Sequence, residues 1–278
     1  MTSDDLPRTL ALDYAAIPQV VAVVQGGSRT AGTQDALSDI DLYVYSREPV
    51  PLPARRAIAQ RHAWRWEVGN TFTEEGDVLI ERTTGTQIDV MFRPVASFEA
   101  HFHYLFEHSE ARMGNSTSVW HNIRTSRILH DPEGWFGKLQ KLADRDYPDD
   151  LARAILALNI PLLSGSIFSL TSQVILGVQR RDIVIVNGVL AKLLDSYFDV
   201  LYALNRTHHS GNKRLLTLAA GLPLVPPGFV EGIERLLSFT PGTLDEVPGH
   251  LDAVVQPLLQ LVDAQGQLPA PWGEAQLE

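Results

Sequence analysis

The apolar residues of this chain change their spacing along its length, and this change limits the folds open to it. Up to about Arg93 they form short runs separated by turn residues, a pattern typical of β-strands. Beyond about Pro148 they repeat at helical spacing over long stretches. We therefore predict an α+β fold, in which an N-terminal domain with a small mixed β-sheet and helices precedes a C-terminal α-helical bundle.

The length of 278 residues allows two domains. We predict a first domain with connecting helices over residues 1–147, a helical bundle over 148–268 and a tail over 269–278. The predicted strands span residues 19–25, 39–46, 63–68, 77–81 and 87–93. The predicted helices span residues 3–16, 51–61, 97–108, 149–177, 181–206, 212–220, 227–238 and 244–264, and a further helix is capped by Asp131-Pro132.

Composition excludes several classes of protein. The net charge of -10 has the wrong sign for a long nucleic-acid partner, because such a surface must neutralise phosphates. The absence of cysteine removes disulfides, thiolate metal sites and cysteine nucleophiles. The sequence shows no secretory signal and no apolar run of the roughly 18 residues that span a bilayer. We therefore expect a cytoplasmic protein without a membrane segment.

A glycine-rich turn follows the first predicted strand. Gly26-Gly27-Ser28 ends the apolar run 19–25. Glycines after a buried strand let backbone amides approach an anion closely, and a serine at a helix start adds a hydroxyl beside the helix dipole. The pattern predicts a phosphate-binding turn.

Three aspartates lie on strands predicted to be neighbours. Asp39 and Asp41 are two residues apart, so both carboxylates point to one face of their strand while Ile40 and Leu42 point to the other. Asp89 has the same setting on the strand 87–93. Carboxylates held side by side repel each other unless a divalent cation or a shared proton compensates, and oxygen ligands suit Mg²⁺ better than zinc. The sequence predicts a magnesium site.

Gly-Ser, then Asp-x-Asp on a strand, then a single strand aspartate, resembles the polymerase-β-like nucleotidyltransferase superfamily over about residues 19–93. The resemblance implies that Gly27 and Ser28 hold the triphosphate of ATP or another nucleoside triphosphate. It implies that Asp39 and Asp41 bind two Mg²⁺ ions, and that Asp89 binds one of them and can assist deprotonation of the acceptor.

A narrower resemblance involves residues 66–70, Glu81, 86–92, 203–206 and Lys213, which look like bacterial proteins related to lincosamide and aminoglycoside nucleotidyltransferases. It implies transfer of a nucleoside monophosphate, most simply AMP, to a small-molecule hydroxyl, with release of pyrophosphate. An antibiotic is one such acceptor. Arg29 and Lys213 are predicted to balance triphosphate charge.

Several alternatives stay open at this point. Glu67 or Glu81 can replace Asp89 as the base, because the segment from Trp64 to Glu81 intrudes before the third carboxylate. The acceptor can be a protein or RNA, as for antitoxin-like relatives that modify a partner, although the acidity of the chain disfavours RNA. A catalytically inactive nucleotide-binding module would keep the fold without the reaction.

Overall fold

The computed structural model describes residues 5–27, 30, 39–72 and 74–270. It contains two compact units, the first made of Met1–Tyr104 and Val119–Arg145, the second of Leu105–Ser118 and Asp146–Glu278. The predicted α+β fold class is confirmed, because a six-stranded mixed sheet is combined with many helices. The domain limits 1–147 and 148–268 stay a prediction, and most of the tail 269–278 lies outside the described residues.

The sheet lies in the first unit. Its strands are β1 (Val20–Gly26), β2 (Ile40–Ser46), β3 (Ala63–Asn70), β4 (Gly76–Glu81), β5 (Gln87–Pro94) and β6 (Arg127–His130). They are arranged in the order β3-β4-β5-β2-β1-β6. β2 and β5 are parallel, and every other neighbouring pair is antiparallel. β5 therefore pairs directly with β2, although the β3–β4 hairpin separates them in sequence.

One face of the sheet carries the hydrophobic core of the first unit. β2 and β5 bury alternate residues there, among them Ile40, Leu42 and Ile88. Helices α1 (Asp5–Ala15) and α2 (Leu52–His62) cover this face with side chains such as Leu10 and Ile58. Since successive side chains of a strand alternate between faces, the residues between the core positions point to the opposite side.

Among the described residues of the first unit, an aromatic cluster packs against one end of the opposite face. Tyr45 of β2 is fully buried, and its ring contacts Phe98 of α3 (Val95–His108) and Trp135 and Phe136 of α5 (Trp135–Ala143). α4 (Ser118–Thr125) lies between these helices in sequence. Asp41, four residues before Tyr45 and on the same face, is only half-buried. The aromatic cluster therefore supports the end of the face away from the half-buried Asp41.

A buried arginine connects α2 to the β3–β4 hairpin. Arg55 is completely buried, and its guanidinium donates to both carboxylate oxygens of Asp77, to Glu75 and, over 3.1 Å, to the carbonyl of Gly76. The same group stacks on Phe92 at 3.8 Å from the ring centroid. Buried charges are tolerated when they are paired and hydrogen-bonded in this way.

The described elements of the second unit are helices. They are α6 (Asp149–Leu163), α7 (Leu170–Gln179), α8 (Ile183–Leu204), α9 (Leu215–Ala219), α10 (Phe229–Leu237) and α11 (Val247–Ala264), with a short 3₁₀ turn over Leu244–Glu246. No helix among the described residues combines the length and the apolar character needed to cross a membrane.

The prediction of one helix over residues 149–177 is wrong. The chain leaves α6 at Ser164, Gly165 has a φ of 88°, and α7 begins only at Leu170. The Ser169 hydroxyl accepts a hydrogen bond from the Ser172 amide over 3.2 Å and so caps α7. The apolar residues on both sides of the break continue the helical spacing, which hides it in the sequence.

A buried carboxylate in the second unit gives its stability a pH dependence. Asp199 of α8 accepts from the Ser116 amide over 3.1 Å and from the Ser116 hydroxyl over 2.5 Å. Burial raises the pKa of Asp199 to about 6, with Asp195 adding to the rise and the Ser116 hydrogen bonds opposing it. The folded state therefore binds a proton more tightly than the unfolded chain does.

We expect Asp199→Asn to flatten the pH dependence of stability. The stabilising effect of the proton is complete below about pH 4 and is lost as the pH rises through about 6. Relative to the variant, the wild type should lose about 2 kcal/mol between pH 4 and pH 7. Urea unfolding across this range measures it, with the exposed Asp150 changed to Asn as control. Parallel pH curves for wild type and Asp199→Asn would contradict this assignment.

Candidate functional site

One row of paired residues crosses five strands of the sheet. Glu67 of β3 pairs with Val78 of β4, Val78 with Asp89 of β5, Asp89 with Asp41 of β2, and Asp41 with Gly26 of β1. Residues that pair across strands point to the same face of a sheet. The row therefore places the carboxylates of Asp41 and Asp89 on adjacent strands, on the face opposite the core.

The structure brings the three predicted aspartates together. Asp39 lies just before β2, and one carboxylate oxygen from each of Asp39, Asp41 and Asp89 lies within 4.8 Å of the others. All three residues are half-buried, so a ligand can reach them. The spacing arises because Ile40, Leu42, Ile88 and Val90 bury the other face of β2 and β5. We call these three residues the aspartate triad.

The chemistry of the triad fits a hard divalent cation. Three carboxylates at this separation repel one another, and Mg²⁺ prefers oxygen ligands. The Gln87 side chain donates to Asp89 over 3.0 and 3.3 Å, which fixes the orientation of that carboxylate without adding positive charge. Sequence analysis did not identify Gln87, although its position two residues before Asp89 on one strand is a signal that they share a face.

Gly27 is required by the close approach of the turn to Asp41. Its φ of 73° is in the left-handed region, and a Cβ atom there would overlap Oδ2 of Asp41 and lie 2.9 Å from its Cγ. The Thr30 amide and hydroxyl donate to the Gly27 carbonyl over 3.2 and 3.0 Å. Gly27 therefore adjoins the triad. Ser28 and Arg29, the other residues predicted for this turn, lie outside the described residues.

We expect Gly27→Ala to weaken Mg²⁺ binding. The added methyl group displaces the Asp41 carboxylate, and such a disturbance of a ligand costs about 10- to 100-fold in metal affinity. Gly85→Ala is the matched control, because Gly85 has a φ of 72° and nothing within 4 Å of its Cβ position. Both variants should lose similar stability through backbone strain, about 1 kcal/mol. Calorimetric Mg²⁺ titration distinguishes them, and equal affinities would contradict the contact with Asp41.

The two alternative bases occupy different places. Glu67 is exposed, and its position in the cross-strand row puts it on the triad face, two strands from Asp89. Glu81 is buried at the end of β4, where it accepts from the Thr83 and Thr84 amides and the Thr84 hydroxyl. Burial alone would raise the pKa of Glu81, but these hydrogen bonds outweigh it and lower the pKa. Glu81 therefore stabilises a turn.

Lys213 lies in the second unit, in the segment between α8 and α9. Its predicted part in balancing triphosphate charge stays a prediction.

In the first unit, sequence analysis missed Arg93, which donates to both oxygens of Glu74 over 2.8 Å and stacks on Tyr43 at 4.0 Å. Arg93 is four residues after Asp89 on β5, so the strand period already places both on one face.

Comparison with known proteins gives a limited match. A family model described as a domain of unknown function, DUF4037, matches residues 116–214, a segment without the aspartate triad. No curated protein matches the chain.

Solved structures similar to the chain include two nucleotidyltransferase-type proteins. The nucleotidyltransferase-like protein from Exiguobacterium sibiricum 255-15 has a TM-score of 0.44 at 14% identity, over 95% of this chain and 78% of that one. The Thermotoga maritima CCA-adding enzyme, solved in complex with tRNA, has a TM-score of 0.32 at 16% identity, over 93% of this chain and 65% of that one. Such distant likeness does not assign a function, because one fold supports many activities.

Proposed function

We propose that the protein is a metal-dependent nucleotidyltransferase. It transfers a nucleoside monophosphate, most simply AMP from ATP, to a hydroxyl group of a small-molecule acceptor and releases pyrophosphate. The observation that carries the proposal is the aspartate triad, with its carboxylate oxygens within 4.8 Å of one another beside the Gly27 turn. An exposed acidic cluster alone would be a surface feature, but here it adjoins a glycine whose backbone can approach a phosphate.

The residues of the aspartate triad and of the Gly27 turn each have a role in this reaction. Bound Mg²⁺ would neutralise phosphate charge and lower the pKa of the acceptor hydroxyl. Asp39 and Asp41 hold the metal ions, and Asp89 adds a ligand and accepts the proton of the acceptor. The acceptor oxygen forms a bond to the α-phosphorus as the bond from that phosphorus to the pyrophosphate oxygen breaks. Backbone amides at Gly27 bind the phosphates, with Ser28 and Arg29 as further phosphate ligands.

The test is pyrophosphate release from ATP and Mg²⁺ with a panel of hydroxyl acceptors, including aminoglycosides, lincosamides and simple polyols. We expect acceptor-dependent release that disappears in the presence of a metal chelator and in the Asp39→Asn variant. ATP binding without release on any small molecule would instead point to a protein or RNA acceptor or to an inactive binding module. The absence of Mg²⁺-dependent ATP binding would overturn the proposal.

A further inference from the structure

The sheet of the first unit ends in two edge strands that differ in length. Among the described strands, β3 and β6 each have a neighbour on one side only. β6 has four residues, whereas β3 has eight and contains neither proline nor lysine. The open edge of a strand presents backbone N–H and C=O groups that can pair with another chain, and natural edges are often short or carry proline or lysine. β3 therefore has an edge that a further strand can join.

The middle of β3 is regular and carries exposed aromatic side chains. Residues 65–68 pair without interruption with residues 77–80 of β4, between two irregularities of the register. Trp66 is 37% exposed, and the neighbouring Trp64 is 61% exposed. Large apolar rings at the edge of a sheet are removed from water when a second strand pairs with that edge, and this burial favours association.

Arg65 and Glu67 give β3 a self-complementary charge pattern. Both side chains are exposed, and they point to one face of the strand while Trp66 points to the other. When two β3 strands pair antiparallel about Trp66, Arg65 of each copy faces Glu67 of the other. Opposite charges at such cross-strand positions stabilise a sheet, and like charges destabilise it.

The same two residues disfavour other registers. An antiparallel pair centred on Arg65 or on Glu67 would place two like charges opposite each other at its centre, at a cost in stability. Among the described residues, neither Arg65 nor Glu67 forms an ion pair within the chain. Both charges are therefore available for a partner strand, and the pattern selects the register centred on Trp66.

We propose that β3 binds a second copy of this chain, and that the two β3 strands pair antiparallel about Trp66 to form one continuous sheet across a two-fold axis. The two Trp66 rings pack against each other on one face, and two Arg65–Glu67 ion pairs form on the other. Trp64 of each copy lies beside Val68 of the other. Because β3 has one open edge in each copy, the assembly closes at a dimer.

Sedimentation velocity over a concentration series, without nucleotide, tests the assembly. We expect the wild type to reach twice the mass of one chain. Arg65→Glu and Glu67→Arg should each raise the dissociation constant of the dimer by roughly 30-fold or more, because either change sets like charges opposite each other in both cross-strand pairs. Arg8→Glu makes the same charge change at an exposed position of α1, and this matched control should leave the dimer intact.

Charge exchange separates a lost ion pair from a lost fold. An equimolar mixture of Arg65→Glu and Glu67→Arg should form a heterodimer, because every carboxylate at these positions then faces a guanidinium group. For the same reason the double variant, with both changes in one chain, should dimerise like the wild type.

Three results would overturn the proposal. A wild type that stays monomeric throughout the series would do so, and would leave this edge to a strand of another protein. A dimer that Arg65→Glu leaves intact would show that the copies meet elsewhere. Two monomeric single variants whose mixture does not associate would refute the register centred on Trp66. The readout is association alone, so each result is independent of the proposed transfer reaction.

Discussion

Asp41→Asn is expected to reduce pyrophosphate release by on the order of 10³-fold or more, because it removes a metal ligand from the centre of the transfer reaction. Asp41 lies in the cross-strand row between Asp89 and Gly26, so no other described residue occupies its place in the triad. Loss of a metal ligand and loss of fold are distinguishable, because loss of a ligand weakens the response to Mg²⁺ while cooperative unfolding is retained.

Thermal unfolding with and without Mg²⁺ supplies the second readout. The wild type should gain stability with Mg²⁺, since a ligand that binds only the folded state stabilises it, and Asp41→Asn should gain much less. Asp144→Asn is the control, because this carboxylate is 80% exposed and pairs with Arg124 at the surface. Undiminished pyrophosphate release by Asp41→Asn, or an equal Mg²⁺ response in both proteins, would refute the role given to Asp41.

Arg55→Met should destabilise the first unit by about 3–5 kcal/mol, because it leaves the buried Asp77 carboxylate without its cation. Asp77 also accepts the Gly69 amide over 2.9 Å, so the loss extends to the end of β3. The matched control is Arg47→Met, whose ion pair with Glu133 has both side chains more than half exposed. That pair contributes about 0–1 kcal/mol.

Urea unfolding measures both arginine variants. A double variant, Arg55→Met with Asp77→Leu, removes the charge pair as a whole and should recover much of the lost stability, because the cost arises from the unpaired charge. An Arg55→Met protein as stable as Arg47→Met would show that the buried pair contributes little.

The strand period allowed the triad to be predicted. Alternation of Ile40, Asp41 and Leu42 assigns faces without tertiary information, and β2 and β5 follow the same rule. The direct β2–β5 pairing was assumed, since nothing in the sequence specifies that β5 passes β3 and β4 to reach β2. The structure supplies that register, with Asp41 opposite Asp89.

Other features were not predicted from the sequence. β6 is only four residues long, which is too short to show a strand period, so the sequence prediction omitted it. The break between α6 and α7 depends on Ser164 and Gly165 inside an otherwise apolar stretch. Glu67, Phe72 and Asp89 line one pocket on the sheet, and they come together only after the hairpin has formed. The pocket therefore depends on tertiary contacts, whereas the helix break has a local turn signal at Ser164-Gly165 that the prediction did not use.

The β3–β4 hairpin lines a pocket next to Asp89 but takes no part in the strand pairing that aligns Asp41 with Asp89. The hairpin lies between β2 and β5 in sequence but at the edge of the sheet in space, and it supplies Glu67 and Phe72. The Asp41–Asp89 register is set by the β2–β5 pair itself. Substitutions in the hairpin can therefore change the lining of this pocket without altering the strand pairing that sets Asp41 opposite Asp89.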